Sequence, residues 1–223
     1  MGLISFFTSK KKLNDLPLDI PIAELKKRTK IVVVDDEEES FPYKLLQNDG
    51  YTIEWWEKVD SPKLQRLENG DFDIIVLDIM GVVDKEISKD DGIGVLKRIK
   101  NVNQHQLIVA FSGQSYDLSK TEFWKLADDT LSKPVTFIQC KEVLDNLIKT
   151  KINILNYWRA IKAILTTSGM AQKNISSLEN ELVMILDGSS KFNEDLILKK
   201  FLGGVQNSAA IITLIQAILR IWS

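Results

Sequence analysis

The sequence predicts an α/β domain built on a parallel sheet, followed by an all-helical segment. Three observations carry that reading. Short apolar runs alternate with helical stretches between residues 30 and 150. Polar residues close these runs: Asp35-Asp36 after IVVV, Asp78 after DIIVL, Ser112 after LIVAF and Lys133-Pro134 after DDTLS. Beyond Lys149 the alternation stops and only helical periodicity remains.

Residues 1–29 read as an N-terminal extension. Phe6 and Phe7 precede Lys10-Lys11-Lys12, and Pro17 and Pro21 break any long helix there. The expectation is an arm packed on the body. The strand runs are Ile31–Val34, Ile53–Trp56, Ile74–Leu77, Leu107–Phe111 and a weaker one at Thr130–Ser132. Their near-continuous apolar character suits parallel strands covered on both faces. Helical stretches lie between and after them, near 40–48, 62–69, 92–100, 119–127 and 136–149. Strands alternating with helices imply βαβ units. Five of each over residues 30–149 is the size of a flavodoxin-like (βα)5 domain with a five-stranded parallel sheet. Ligands in such sheets sit beyond the carboxyl ends of the strands, where every polar residue singled out above would lie.

Residues 150–223 are expected to form an all-α helical bundle serving output or dimerisation. The stretch 136–166 has no Gly or Pro and predicts one long helix. Thr166-Thr167-Ser168-Gly169 reads as a turn, and further helices are expected near 170–187, 193–202 and 204–222. The last, QNSAAIITLIQAILRIW, is apolar on most faces but interrupted by Gln216 and Arg220. It is too short for a membrane span, so it is expected to be buried in a bundle or dimer.

Composition removes whole classes of chemistry. The single cysteine, Cys140, excludes an internal disulfide and any cysteine-rich metal site, and suits a reducing cytoplasm. The single histidine, His105, leaves no zinc-binding HExxH motif and no Ser-His-Asp triad. It lies in the polar loop NVNQHQ and is expected to be exposed. Net charge is −2 but unevenly spread. Residues 30–150 carry 15 basic and 23 acidic side chains, whereas residues 151–223 carry 8 and 5. The acidic middle suits a metal-binding carboxylate site better than a nucleic-acid surface.

The strand-end residues form a coherent chemical set. Asp35 and Asp36 beside Asp78 would repel one another, and a bound Mg2+ would relieve that repulsion through hard oxygen ligands. Lys133 could hold one phosphoryl oxygen and Ser112 another. Phosphoryl transfer asks mainly for positioning and charge stabilisation, which this set supplies. Asp78 is then the candidate nucleophile and phosphoacceptor. Gly113 leaves room for the phosphoryl group, and Lys133-Pro134 is a candidate cis peptide aiming the lysine inward.

In order, VVVDDEE, IIVLDIM, VAFSG and LSKPV resemble the receiver domain of two-component response regulators, over roughly residues 30–149. The resemblance implies metal ligation by Asp36, Asp78 and the Met80 carbonyl, with Asp35 completing the acidic pocket. It also implies that Ser112 is the switch hydroxyl and Lys133 the phosphate-sensing lysine. A histidine kinase or phosphotransfer protein would be the donor. The output would be a downstream protein partner met by the helical domain, with homodimerisation a further option. No enzyme activity, DNA contact or membrane contact is expected. Two alternatives stand beside this reading: an unphosphorylated pseudo-receiver scaffold, and a DNA-binding regulator with an atypical helical domain. Thr130 stands where receivers usually carry an aromatic switch residue. Asp91-Gly92 matches the family's Asp-Gly but comes late, after GVVDKEISKD. The added charges Asp84, Lys85, Glu86, Lys89 and Asp90 are expected beside the phosphorylation pocket, where they could gate access.

Overall fold

The computed structural model describes residues 12–113 and 121–223, and only the backbone of residues 121–123. The stretch holding Phe6, Phe7, Lys10 and Lys11 lies outside the described residues, as do positions 119 and 120 of the fourth expected helix.

The apolar runs become β1 (Lys30–Val34), β2 (Thr52–Trp56), β3 (Ile74–Asp78), β4 (Leu107–Ser112) and β5 (Asp129–Ser132). They form one sheet in the order β2-β1-β3-β4-β5, with every pairing parallel. This is the flavodoxin-like order, and its direction reverses between β1 and β3. The register keeps the carboxyl ends level: Val34 pairs with Leu77, Asp78 with Phe111, and Ser112 with Ser132. Asp35 and Asp78 therefore flank the switch point, where the fold opens a crevice.

Helices α1 (Ile22–Arg28), α2 (Tyr43–Asn48), α3 (Ser61–Glu68), α4 (Asp91–Val102), α5 (Thr121–Leu126) and α6 (Phe137–Lys151) accompany the sheet. Their starts follow local chemistry. The Asp60 carboxylate accepts from the Lys63 N–H at 2.8 Å, with Pro62 in the first turn of α3. Thr136 and Gln139 form a capping box that opens α6. Val32, Val34, Ile75, Leu77, Ile108 and Ala110 pack against Val95, Leu96 and Ile99 of α4 and Leu67 of α3. Trp56 joins that core, while Trp55 is half-buried and stacks on Tyr43. Helix α1 is held by charge as well as packing. The Lys26 ammonium lies 3.0 Å from Asp49 and 3.1 Å from Asp145, over the Tyr51 ring.

The chain divides into two compact units, Ile20–Asn153 and a helical unit of Ile154–Trp222 joined by residues 12–19. The helical unit contains α7 (Ile154–Thr167), α8 (Gln172–Leu186), α9 (Glu194–Ile197) running into a π-helical turn at Leu198–Leu202, and α10 (Ser208–Trp222). Leu13 and Leu16, around a 3-10 turn at Leu13–Asp15, are buried, and that turn packs on α7 and α8. Helix α10 packs on the same two helices and buries Ile211, Ile212, Leu214, Ile215, Ala217, Ile218 and Ile221. A helix apolar on most faces needs neighbours on most sides, and the unit provides them. The Trp222 indole closes the end by donating to the Leu186 carbonyl at 2.7 Å. Among the described residues, no helix is long and apolar enough to cross a membrane.

Two expectations need correction here. The single helix over 136–166 is two helices, broken at Ile152-Asn153, where Ile152 leaves helical geometry at φ −85° and ψ 83°. The stripes on either side serve different cores. Cys140, Leu144 and Leu147 belong to the first unit, and Ile154, Trp158, Ile161 and Leu165 to the second. The break falls at the boundary between them. His105 is half-buried instead of exposed, with its Nε2 buried and lacking a hydrogen-bond partner among the described residues. Burial, and then the charge of Lys100, lower its pKa below the ordinary histidine value.

Candidate phosphoacceptor site

The four strand-end motifs converge at the carboxyl edge of the sheet. They line a cavity of about 640 Å³ that includes Asp36, Asp78, Met80, Ser112, Gly113 and Lys133. Asp35 follows β1 directly and is fully buried, and its N–H continues the ladder to the Trp56 carbonyl at 3.0 Å. Asp36 is exposed and faces the cavity. Carboxylate oxygens of Asp35, Asp36 and Asp78 all lie within 4.8 Å of one another.

Lys133 ties the set together. Its ammonium donates to Asp78 Oδ2 at 2.6 Å and to Asp35 Oδ1 at 2.9 Å, and it lies over the buried Phe111 ring. The Lys133-Pro134 peptide is cis, and the Lys133 N–H donates to the Ser112 carbonyl at 2.9 Å. Burial pushes the Asp78 carboxyl above its ordinary pKa, although the Lys133 ammonium and the Ile79 N–H, 2.6 Å from Oδ1, pull the other way. Burial also works against the Lys133 ammonium, but its two carboxylate partners outweigh that and raise its pKa. Ser112 is buried beside them and lines the cavity.

Two glycines hold the turn after β3 in place. The Gly92 N–H donates to the Ile79 carbonyl at 3.1 Å, and a Cβ on Gly92 would lie 2.1 Å from the Asp78 carbonyl oxygen. Gly81 adopts φ +79°, and a Cβ there would lie 2.2 Å from Asp36 Oδ2. Its N–H donates to Asp91 Oδ2 at 2.7 Å. The Asp-Gly pair at 91–92, late in sequence, is thereby brought against the turn that carries Met80.

The added loop charges are expected beside this cavity. None of Asp84, Lys85, Glu86, Lys89 and Asp90 lines the cavity. The apolar residues of that segment decide its course. Val82 and Val83 enter the core, and the Val59 N–H donates to the Val82 carbonyl at 2.8 Å. Ile87 and Ser88 line a different hollow, with Leu64, Glu68 and Arg98 of α3 and α4. Thr130 is exposed, pairs with Ala110, and is not among the cavity residues.

Sequence reasoning missed three participants. Ser40 donates its hydroxyl to Asp35 Oδ2, and the Glu37 N–H donates to Asp35 Oδ1 at 3.0 Å. Phe111 underlies Lys133. Ser40 sits in the run DDEEES, where nothing in the spacing marks it as facing back toward Asp35. Gly81, directly after Met80, was the available signal for a left-handed turn.

The donor set fits a divalent cation. Three carboxylates against one ammonium leave two negative charges uncompensated, and all the side-chain donors are hard oxygens.

No family model matches the chain, and no curated protein matches it. Among solved structures it is similar to the chemotaxis protein CheY4 of Vibrio cholerae, at 21% identity over 53% of this chain and 97% of that one, TM-score 0.43. A CheY-like response regulator receiver domain protein of Methanospirillum hungatei gives 21% over 54% and 94%, TM-score 0.46. A two-component response regulator of Clostridium difficile gives 21% over 55% and 97%, TM-score 0.45. These are distant likenesses to about half of the chain. The flavodoxin-like fold stands on the strand order and the parallel pairings themselves.

Proposed function

We propose that the chain is a response regulator that accepts a phosphoryl group on Asp78 with Mg2+ and signals through its helical unit to a downstream protein. The observation that carries this reading is the Lys133 ammonium held between Asp35 and Asp78, beside the cavity-facing Asp36. Asp36, Asp78 and the Met80 carbonyl are the groups we assign to the metal. Asp35 belongs to the same acidic set, but it is fully buried and is not among the cavity-lining residues. A bound Mg2+ would supply charge neutralisation for the phosphoryl oxygens.

An oxygen of Asp78 attacks phosphorus in line. An oxygen–phosphorus bond forms, and the bond from phosphorus to the leaving group breaks. That group is the imidazole nitrogen of a phosphohistidine donor, or acetate when acetyl phosphate is the donor, and it departs with the electron pair. Lys133 gives up its bond to Asp78 and takes a phosphoryl oxygen, and the Ser112 hydroxyl takes another. Among the described residues, a Cβ on Gly113 would meet only the Lys133 side chain, at 3.5 Å. The acyl phosphate would then shift a two-state equilibrium at this edge of the sheet. A cytoplasmic location is in keeping with the reduced, buried Cys140, whose thiol burial pushes up to about 12.

Intact mass after incubation with acetyl phosphate tests the reading. One added phosphoryl group that requires both Mg2+ and Asp78, and is absent in Asp78→Asn, is the expected result. No mass gain, together with no binding of fluoroberyllate and Mg2+, would replace this reading with an unphosphorylated scaffold. DNA output would instead show as salt-sensitive retention on duplex DNA.

A further inference from the structure

We infer that Ser40 is a positioning residue for the phosphoacceptor site, fixing Asp35 so that Asp35 holds the Lys133 ammonium at Asp78. The inference rests on the proposed phosphoacceptor role for its kinetic part and on geometry alone for the rest. Asp35 is fully buried at the end of β1, out of reach of solvent. A buried carboxylate keeps its charge only where hydrogen bonds replace its water. Asp35 has three such donors: the Glu37 N–H on Oδ1, Lys133 Nζ on Oδ1 and the Ser40 hydroxyl on Oδ2.

These donors differ in kind. The Glu37 N–H belongs to the turn leaving β1 and is fixed by the backbone. Lys133 is shared with Asp78, and phosphorylation would draw it toward the phosphoryl group. Ser40 is the one side chain outside the strand-end motifs that bonds Asp35, and among the described residues it is the only donor to Oδ2. Its backbone is anchored independently, with the Ser40 N–H donating to the Glu37 carbonyl at 3.0 Å. The turn 37–40 thus grips Asp35 twice, once through each carboxylate oxygen. A carboxylate held at both oxygens presents Oδ1 to Lys133 in one orientation. Without Ser40 it can rotate about its Cβ–Cγ bond, and the ammonium loses its fixed second anchor. Ser40 also lines the cavity, so its loss leaves a polar, water-accessible space beside Oδ2.

Two readouts on Ser40→Ala and Ser40→Thr test this. The first is the rate of phosphoryl gain on Asp78 from acetyl phosphate at saturating Mg2+, alongside the Kd for Mg2+. Ser40→Ala is expected to slow phosphoryl gain on the order of tenfold, as for one lost hydrogen bond to a charged group. The Mg2+ Kd is expected to change less than about twofold, because Asp35 is assigned no direct metal bond. Ser40→Thr, which keeps the hydroxyl, restores the rate. The second readout needs no phosphorylation: the Lys133 ammonium signal in protein labelled with 15N-lysine. It is expected to be sharp in the wild type and Ser40→Thr, and broadened by exchange in Ser40→Ala. An unchanged ammonium signal in Ser40→Ala would overturn the inference, as would equal impairment by Thr and Ala, which would point to space filling. If the wild type takes up no phosphoryl group but the ammonium signal still depends on the Ser40 hydroxyl, the positioning role stands and the phosphoacceptor reading falls.

Discussion

The two units of this chain treat buried polar groups in opposite ways. Among the described residues, the buried polar and charged side chains are Lys26, Thr29, Asp35, Asp78, Gln106 and Ser112. All belong to Ile20–Asn153, and none to the helical unit. The helical core is aliphatic and aromatic, with Leu13, Ile161, Leu165, Ile175 and Ile218 enclosed. Burying a charge costs free energy that packing must offset, and proteins retain such groups where function needs them. The first unit carries that cost around a sheet whose central strands are almost wholly buried. The helical unit carries no comparable cost, so its apolar surfaces are expected to serve stability and its function to lie on its exterior.

The largest effect should come from placing a charge in the core that has none. Leu13→Asp introduces an unpaired carboxylate at a fully buried position where the 3-10 turn meets α7 and α8. A loss of roughly 4 kcal/mol or more is expected in the helical unit. Thermal unfolding should lose the helical transition while the sheet-containing unit keeps its own. A cooperative loss of both transitions would show that the units share one stability. The same variant tests whether residues 12–19 are needed for the helical core, as the packing of Leu13 and Leu16 implies.

Gly92→Ala attacks the other side of the comparison. Its Cβ would meet the Asp78 carbonyl at 2.1 Å, and backbone cannot move aside there without shifting the end of β3. About 1–3 kcal/mol of destabilisation is expected in the sheet-containing unit, with loss of Mg2+ binding. A denaturant midpoint for that unit equal to wild type would mean that the β3–α4 junction yields more easily than its contacts imply.

Asp78→Asn should have a smaller effect and the opposite sign. It removes one of three facing carboxylates and leaves Lys133 paired with Asp35. A stability gain of about 1 kcal/mol is expected with complete loss of phosphoryl uptake, the usual exchange between a strained functional site and the fold. A destabilised Asp78→Asn would indicate that the Lys133–Asp78 bond is worth more than the repulsion it offsets.

The same contrast explains what could be read in the sequence. Strand-end chemistry was legible because an all-parallel sheet puts every carboxyl end at one edge, so Asp35, Asp36, Asp78, Ser112 and Lys133 needed only correct strands to meet. The course of residues 82–90 was obscured by their charges, although Val82, Val83 and Ile87 already carried the apolar signal that takes them inward. The break at Ile152-Asn153 has no Gly or Pro to announce it. It arises because two cores claim the two halves of one apolar stripe, a tertiary fact. Leu13 and Leu16 were equally hidden, since two leucines beyond Pro17 and Pro21 show no periodicity that ties them to helices more than a hundred residues away. Ser40 depends on how one turn folds back, which spacing does not encode.

The smallest effect belongs to His105, and it gives the comparison its cleanest probe. It is the chain's single histidine and lies in the sheet-containing unit, just before β4, so its ring signals report on that unit alone. Burial and the neighbouring Lys100 charge disfavour the imidazolium, so the folded pKa is below the ordinary value of 6.5. The unfolded chain therefore binds the proton more readily than the folded one. Above 6.5 neither state is protonated at this site and stability is unaffected; as pH falls through 6.5 toward the folded value, the sheet-containing unit loses stability. Histidine ring NMR across this range should give a midpoint below 6.5, and His105→Gln should flatten the acid-side decline. A midpoint at or above 6.5 would mean that the ring is solvated in solution. In Leu13→Asp the same midpoint should persist, because the group that sets it lies in the unit that the substitution spares.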